Sequence, residues 1–289
     1  MITLNELLIN RKFDFYNDTI LVRHKDNRYK IDMFDLIEKG YFEYYQSTQT
    51  KKIFENKKYM IAFIGTEQFR AVLYKVYKIN GSRDSDSVIY PDGFLGLFPD
   101  WGDEYGKSTW YDLEPMPGFE DLEQRVVIDW GQSAVSWVQN YNEKNAKEVV
   151  EILPKGHVKD FTDYLDFTLT HNELKKLHMY KDANKRWVDK LSSVNGIYLI
   201  LDKKTGNQYV GAAYSRDGIW GRWESYASNG HGNNKLLMEL MKEDDGYASN
   251  FQWAVLETLP ANLTKEKIIS YEKRYKEKLG TKFFGLNLN

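Results

Sequence analysis

The chain has 289 residues, enough for two domains of ordinary size, each with its own core. Hydrophobic residues make up 42% and charged residues 28%, and no apolar run approaches the roughly eighteen residues of a membrane span, which excludes a membrane-spanning helix. A formal net charge of -2 means that any nucleic-acid contact depends on local positive surface, and the absence of cysteine excludes disulfides, thiolate metal sites and cysteine nucleophiles. The opening Met1-Ile2-Thr3-Leu4-Asn5-Glu6 carries no secretory pattern, so the expected location is cytoplasmic.

Residues 1 to about 58 are polar and mixed, with one helix expected from the N-cap Asp32 to Gln46, because Phe34, Ile37, Tyr41 and Tyr45 recur at helical spacing. Tyr59 to Gly65 and Arg70 to Ile79 are strand-like runs, separated by Thr66-Glu67-Gln68 and closed by Asn80-Gly81. Glycine, proline and aspartate dominate from Ser82 to Gln124, where long loops carrying aromatics are expected. Arg125 to Trp130 and Val149 to Leu153 suggest further strands. Thr170-His171-Asn172-Glu173 matches a capping box, and helical composition then runs to about Leu191 as a bridge between domains.

The remainder predicts strand Gly196 to Leu201, strand Gln208 to Ala213, helix Gly218 to Ala227, helix Asn234 to Met241, strand Phe251 to Leu259 and helix Thr264 to Leu279. If the connection from Asp202 to Asn207 is an even-numbered loop, Tyr198 and Tyr209 share one face of the hairpin. On the next helix Ile219, Arg222 and Tyr226 lie along one stripe. On the last, Ile268, Glu272, Tyr275 and Leu279 recur at helical spacing, so a carboxylate sits on the core side, where it needs a cation or a hydrogen-bond partner. Alone, each of these residues is more often a packing tyrosine or a solvated charge. Asn287 could equally serve as a terminal cap.

Taken together and in order, Gly196-Ile197-Tyr198, Tyr209-Val210-Gly211, Arg222 with Tyr226, Glu272, and Asn287 in Gly285-Leu286-Asn287 resemble the GIY-YIG nuclease superfamily over residues 194 to 289. The resemblance implies a metal-dependent endonuclease acting on double-stranded DNA. Catalytic residues would be Tyr198, Tyr209, Arg222, Tyr226, Glu272 and Asn287, with Glu272 holding Mg²⁺ or Mn²⁺ and Arg222 bracing the scissile phosphate. Tyr198 is the candidate general base, although the resemblance leaves open which tyrosine takes the proton, and Tyr226 stands where members often carry His. Lys203, Lys204 and His231 are candidate DNA contacts.

Upstream, Tyr59 to Gly65 followed by Phe69 to Tyr77 resembles the barrel strands of PUA-like modules, the group that includes EVE domains. That resemblance implies a substrate-selecting domain in which an aromatic such as Trp101 or Trp110 stacks on a flipped base. Trp130 and Trp137 are further aromatics near these loops, most of which the domain's own core would claim, and Arg23, Lys25, Arg28, Lys51, Lys52, Lys57 and Lys58 are basic residues able to track phosphates. The expected fold is therefore α+β: a mixed domain with a small β-barrel-like sheet and a linker helix over 1–190, and a small antiparallel sheet flanked by helices over 191–289. A restriction or phage-defence enzyme is the leading expectation, against a repair or recombination nuclease and a non-catalytic DNA-binding module. Cutting both strands would call for a homodimer.

Overall fold

The computed structural model describes residues 2–26, 28–98, 108–131, 136–244 and 246–288. The fold is mixed α+β, and the chain divides into two compact units, Met1–Leu153 and Pro154–Asn289. Among the described residues no helix is long and apolar enough to cross a membrane.

Among the described residues, the first unit is built on a curled, half-barrel sheet of eight strands. Strand β1 (Thr19–His24) lies parallel to β3 (Tyr59–Gly65) and antiparallel to β7 (Val138–Asn140), and β3 pairs with the long β4 (Arg70–Asp84). The two ends of β4 take different partners, β6 (Val126–Asp129) near Arg70 and β5 (Thr109–Pro115) near Asp84, while β2 (Thr48–Gln49) and β8 (Val149–Ile152) extend β5 and β6. Alternation decides the packing: Ile20, Val22, Met60, Ala62 and Ile64 enter one core, and Leu21, Ile61 and Phe63 enter another on the opposite face. A sheet covered on both faces accounts for the unbroken apolar run in β3. Helix α1 (Leu4–Ile9) covers the second core, while α2 (Met33–Glu38) and α3 (Phe42–Ser47) cover the first.

Two expectations change here. The single helix from Asp32 to Gln46 is interrupted at Gly40, whose φ of 70° ends α2 in a left-handed turn, although Asp32 does cap it by accepting from the Phe34 amide at 2.8 Å. The stretch from Ser82 to Gln124 is not loop throughout, because β5 runs inside it.

The second unit has a four-stranded antiparallel sheet ordered β11-β10-β12-β9, from β9 (Thr168–Thr170), β10 (Asn195–Asp202), β11 (Gln208–Ala213) and β12 (Phe251–Leu259). Helices α4 (His171–Met179), α5 (Lys185–Ser192), α6 (Gly218–Asn229) and α7 (Lys235–Glu243) supply the core on one face, around Tyr198, Ile200, Trp223 and Trp253. On the other face α8 (Lys265–Leu279) packs Ile268 against Ile197 and Val210, and the short α9 (Thr281–Phe284) follows.

The expected domain boundary at 190/191 differs from the compact-unit boundary at Leu153/Pro154. The physical reason is that residues 154–192 belong to the second unit's core. Phe161, Phe167, Leu169, Leu174, Leu177, Trp187 and Leu191 are buried with Tyr198 and Trp223, and β9 hydrogen-bonds to β12. The capping box forms as the sequence indicates, with Thr170 Oγ1 accepting from the Glu173 amide at 3.2 Å and Glu173 accepting from the Thr170 amide at 2.8 Å. The helices it opens are packed elements rather than a bridge.

Candidate active site

The β10–β11 hairpin pairs Tyr198 directly opposite Gly211 and Ile200 opposite Tyr209, so both tyrosines project from one face. Opposite a tyrosine on a crowded face, glycine is required: a Cβ on Gly211 would lie 2.3 Å from the Tyr198 hydroxyl. The Tyr198 ring lies back across this gap, 6.4 Å from the Tyr209 ring.

Helix α6 brings Arg222 and Tyr226 over that hairpin one turn apart. Arg222 donates from Nε to the Tyr198 hydroxyl at 3.2 Å, from one terminal nitrogen to the Tyr226 hydroxyl at 3.2 Å, and from the other to the Gly232 carbonyl at 2.8 Å. The two phenol oxygens are 3.1 Å apart, one hydroxyl donating to the other. A guanidinium carries five N–H donors, of which these contacts use three. Burial pushes the Tyr198 phenol above its ordinary value, more than the nearby guanidinium lowers it, and burial raises Tyr226 further. Both phenols are therefore protonated at neutral pH.

Tyr198, Tyr209 and Arg222 line a cleft of about 490 Å³ with Tyr214, Ser215, Ser225 and Glu272. Strand β11 is the sheet edge, which lets residues from the two faces meet: the tyrosine–arginine set comes from the α6 side and Glu272 from α8. The partner that a covered carboxylate needs is Lys276, one turn on, whose Nζ lies 2.9 Å from Glu272 Oε1. With side-chain exposures of 13% for Lys276 and 17% for Glu272, this pair is unlike the solvated Lys273–Glu277 pair on the same helix, at 68% and 62%. The i,i+4 spacing made Lys276 visible in the sequence, but it was not singled out there.

Among the described residues no three His, Cys, Asp or Glu side chains gather as a metal cage. Glu272 offers the hard oxygen ligand expected for Mg²⁺ or Mn²⁺, and a single carboxylate suits a cation that takes its remaining ligands from water and substrate oxygens.

Asn287 stands apart from this group. Its amide is spent at both ends on β11, accepting from the Val210 N–H at 2.9 Å and donating to the Val210 carbonyl at 2.8 Å, and it is not among the described residues that line the cleft. With the Leu286 amide on the Gln208 carbonyl at 2.7 Å, it covers one end of the β11 edge as a further strand would. Lys203 and Lys204 are exposed in the hairpin turn, which the buried Asp202 organises by accepting from the Lys204 amide at 2.9 Å, Thr205 at 2.7 Å and Tyr247 at 2.8 Å. His231 is half-buried, its Nδ1 taken by the Asn233 amide at 3.0 Å.

In the first unit Trp101 lies outside the described residues. Trp110 is half-buried on β5, with Tyr44 at 5.8 Å ring to ring and the Arg83 guanidinium 6.0 Å above its face. Trp130 is core, its indole N–H donating to the Ser136 carbonyl at 2.9 Å, whereas Trp137 remains exposed. Arg23 is not a phosphate contact: its buried guanidinium donates to the Gln68 carbonyl at 3.1 Å. Lys58 is paired with Asp18 at 2.8 Å.

No protein-family model and no curated protein matches the chain. Two solved structures are similar to it: the catalytic domain of the homing endonuclease I-TevI, and a mutant of the same intron endonuclease domain. They share 24% and 23% identity with this chain, cover 33% of it and 98% and 94% of themselves, and give TM-scores of 0.26 and 0.27.

Proposed function

We propose that the chain is a DNA endonuclease of GIY-YIG type, hydrolysing a phosphodiester bond with one divalent cation, Mg²⁺ or Mn²⁺, held at Glu272. The observation that carries this reading is the hydrogen-bonded Tyr198–Arg222–Tyr226 set, of which Tyr198 and Arg222 line one cleft with Tyr209 and Glu272. When bound, the cation neutralises charge on the pentacovalent phosphate and stabilises the leaving 3′ oxygen. Arg222 is fixed by three bonds and keeps two N–H donors for the scissile phosphate. Tyr198, already accepting from Arg222 and held protonated by burial, acts by orienting that guanidinium. Tyr209, half-buried on the cleft, is then the residue placed to take the proton of the attacking water, acting as the phenolate after its own hydroxyl proton has passed to solvent in the cleft.

In this reading the first unit selects the duplex by sequence or base modification, as in a restriction or phage-defence enzyme. Its support is a separate core and exposed aromatic surface at Trp137. Cleavage of both strands would be the work of a homodimer, one site per strand.

The test is cleavage of plasmid and phage DNAs that differ in base modification, with Mg²⁺ or Mn²⁺. Glu272→Ala is expected to lower the rate by at least about a hundredfold while duplex binding persists. A wild-type rate in that variant would sink the assignment.

A further inference from the structure

Among the described residues Phe283 and Phe284 stand out as two adjacent large apolar side chains left in solvent. They are 86% and 85% exposed, neighbours in sequence, with ring centroids 6.5 Å apart. Scattered single apolar residues on a surface need no explanation, but two adjacent, almost fully solvated phenylalanines do. Nor do they hang on a loose tail. Gly280 begins their turn, accepting from both of their amides at 3.0 Å. Just beyond, Leu286 is buried in the same core as Tyr198, and Asn287 is clamped to Val210 by both ends of its amide. The Leu286 amide bonds to Gln208, the neighbour of Tyr209. The pair is thus presented on a rigid mount attached to the strand that lines the cleft.

Charge identifies what such a mount would meet. Residues 272–288 contain five basic side chains, Lys273, Arg274, Lys276, Lys278 and Lys282, against two acidic, Glu272 and Glu277; Lys273, Arg274 and Lys276 lie in ion pairs with Glu277, Glu257 and Glu272, so the basic neighbours that the aromatic pair presents with it are Lys278 and Lys282. Lys278 and Lys282, which lie five and one residues ahead of the aromatic pair, are both exposed. The whole of residues 191–289 carries 13 basic and 11 acidic residues, so the excess is concentrated at this turn. An apolar self-association surface has no use for a rim of one charge sign, which would repel its own copy across a twofold axis. A polyanion whose interior offers flat apolar faces satisfies both features.

We propose that Phe283 and Phe284 form a wedge that stacks on bases of the duplex beside the bond to be cut, with Lys278 and Lys282 on the flanking phosphates. Phenylalanine wedges open a base step at the cost of unstacking it and gain a bent, more widely contacted duplex. The inference rests on the nuclease reading and extends it by naming where the duplex is gripped.

The test uses the full chain in metal-free buffer with duplexes carrying 2-aminopurine at successive positions around the cleavage site. Wild type is expected to raise the fluorescence at one or two adjacent positions. Phe283→Ser/Phe284→Ser is expected to abolish that rise and to weaken binding by at least about tenfold, the scale of a lost aromatic–base stack, without changing the salt dependence. Lys278→Gln/Lys282→Gln is expected to keep the rise and reduce the salt slope by about two, one for each phosphate contact. Both pairs are exposed, so unchanged melting curves should accompany the effects. The proposal is overturned if the serine variant keeps both affinity and fluorescence rise. It is equally overturned if DNA-free wild type sediments as a dimer that this variant converts to monomer, since the pair would then be a self-interface. A chain that cuts DNA equally well with and without the phenylalanines refutes the wedge alone, whereas a wild type that neither binds nor cuts any duplex refutes the nuclease reading as well.

Discussion

At Gly211 the absence of a side chain is used by a residue on the neighbouring strand, because the Tyr198 phenol fills the volume a Cβ would occupy. Gly211→Ala is therefore expected to push Tyr198 off Arg222, costing about 1 to 3 kcal/mol as overpacking does, and to remove cleavage. Urea denaturation and a cleavage assay measure the two effects, and an alanine variant with native stability and rate would contradict the geometry. Tyr198→Phe leaves Arg222 Nε without its acceptor inside the unit and should cost about 1 to 3 kcal/mol, whereas Tyr209→Phe, half-exposed, should cost little stability but much rate. Equal stability losses in the two variants would show that the phenols are not differently employed. The sequence made the shared face of the two tyrosines and the stripe of Arg222 and Tyr226 legible, since both follow from period alone. It could not reveal that Asn287 spends its amide on Val210, because that depends on which neighbour a side chain meets.

Among the elements, β1 was the least visible. Its Thr-Ile-Leu-Val-Arg-His sequence ends in two residues that suggest solvent or phosphate, yet Arg23 and His24 are both buried beside β3. His24 packs between Phe42 at 5.1 Å and Tyr45 at 5.7 Å, ring to ring, and burial lowers its pKa from 6.5 to about 3. The folded form therefore holds a neutral imidazole where the unfolded chain takes up a proton. The stability this contributes is present above about pH 6.5 and is lost progressively as pH falls toward 3. Between pH 7 and pH 5 the loss from His24 should be about 2 kcal/mol, and His24→Leu should remove that share of the pH dependence in urea titrations, leaving the share of His171, whose pKa burial lowers to about 4. The same loss in both proteins would rule His24 out as its source. Strand β9 was hidden for a different reason: Thr168-Leu169-Thr170 is too short to have a period, and its last residue doubles as a helix cap. The paired runs of β3 and β4 and of β10 and β11 were legible because each is long enough to alternate or to stay continuously apolar.

For the molecule as a whole, the division at Leu153/Pro154 fixes which pieces can stand alone. A fragment of residues 154–289 keeps β9, α4 and α5 and should melt cooperatively. One beginning at 191 loses Phe161, Leu169, Leu174, Leu177 and Trp187 from around Tyr198 and Trp223, and should lack a cooperative transition. Circular dichroism melts and limited proteolysis of the two fragments decide this, and a stably folded 191–289 would contradict it. Composition suggested two domains with a join at 190/191, whereas the compact units meet at Leu153/Pro154. Helical residues between two sheets look like a linker until the side to which their apolar faces turn is known.

Tyr198, Tyr226 and Arg222 hold the second unit together, and Tyr198 and Arg222 also line its cleft, while Glu272 sits on an outer helix and is tied to Lys276. If the chain cuts DNA as proposed, the two kinds of residue would answer to different selective pressures. A lineage released from the need to cut would still be penalised for losing the tyrosines or the arginine, since its fold would suffer, but could shed Glu272 and Lys276 together at little cost. Descendants would then keep the hallmark tyrosines long after activity had gone, and the fate of one glutamate, rather than the survival of the motif, would separate working copies from relics.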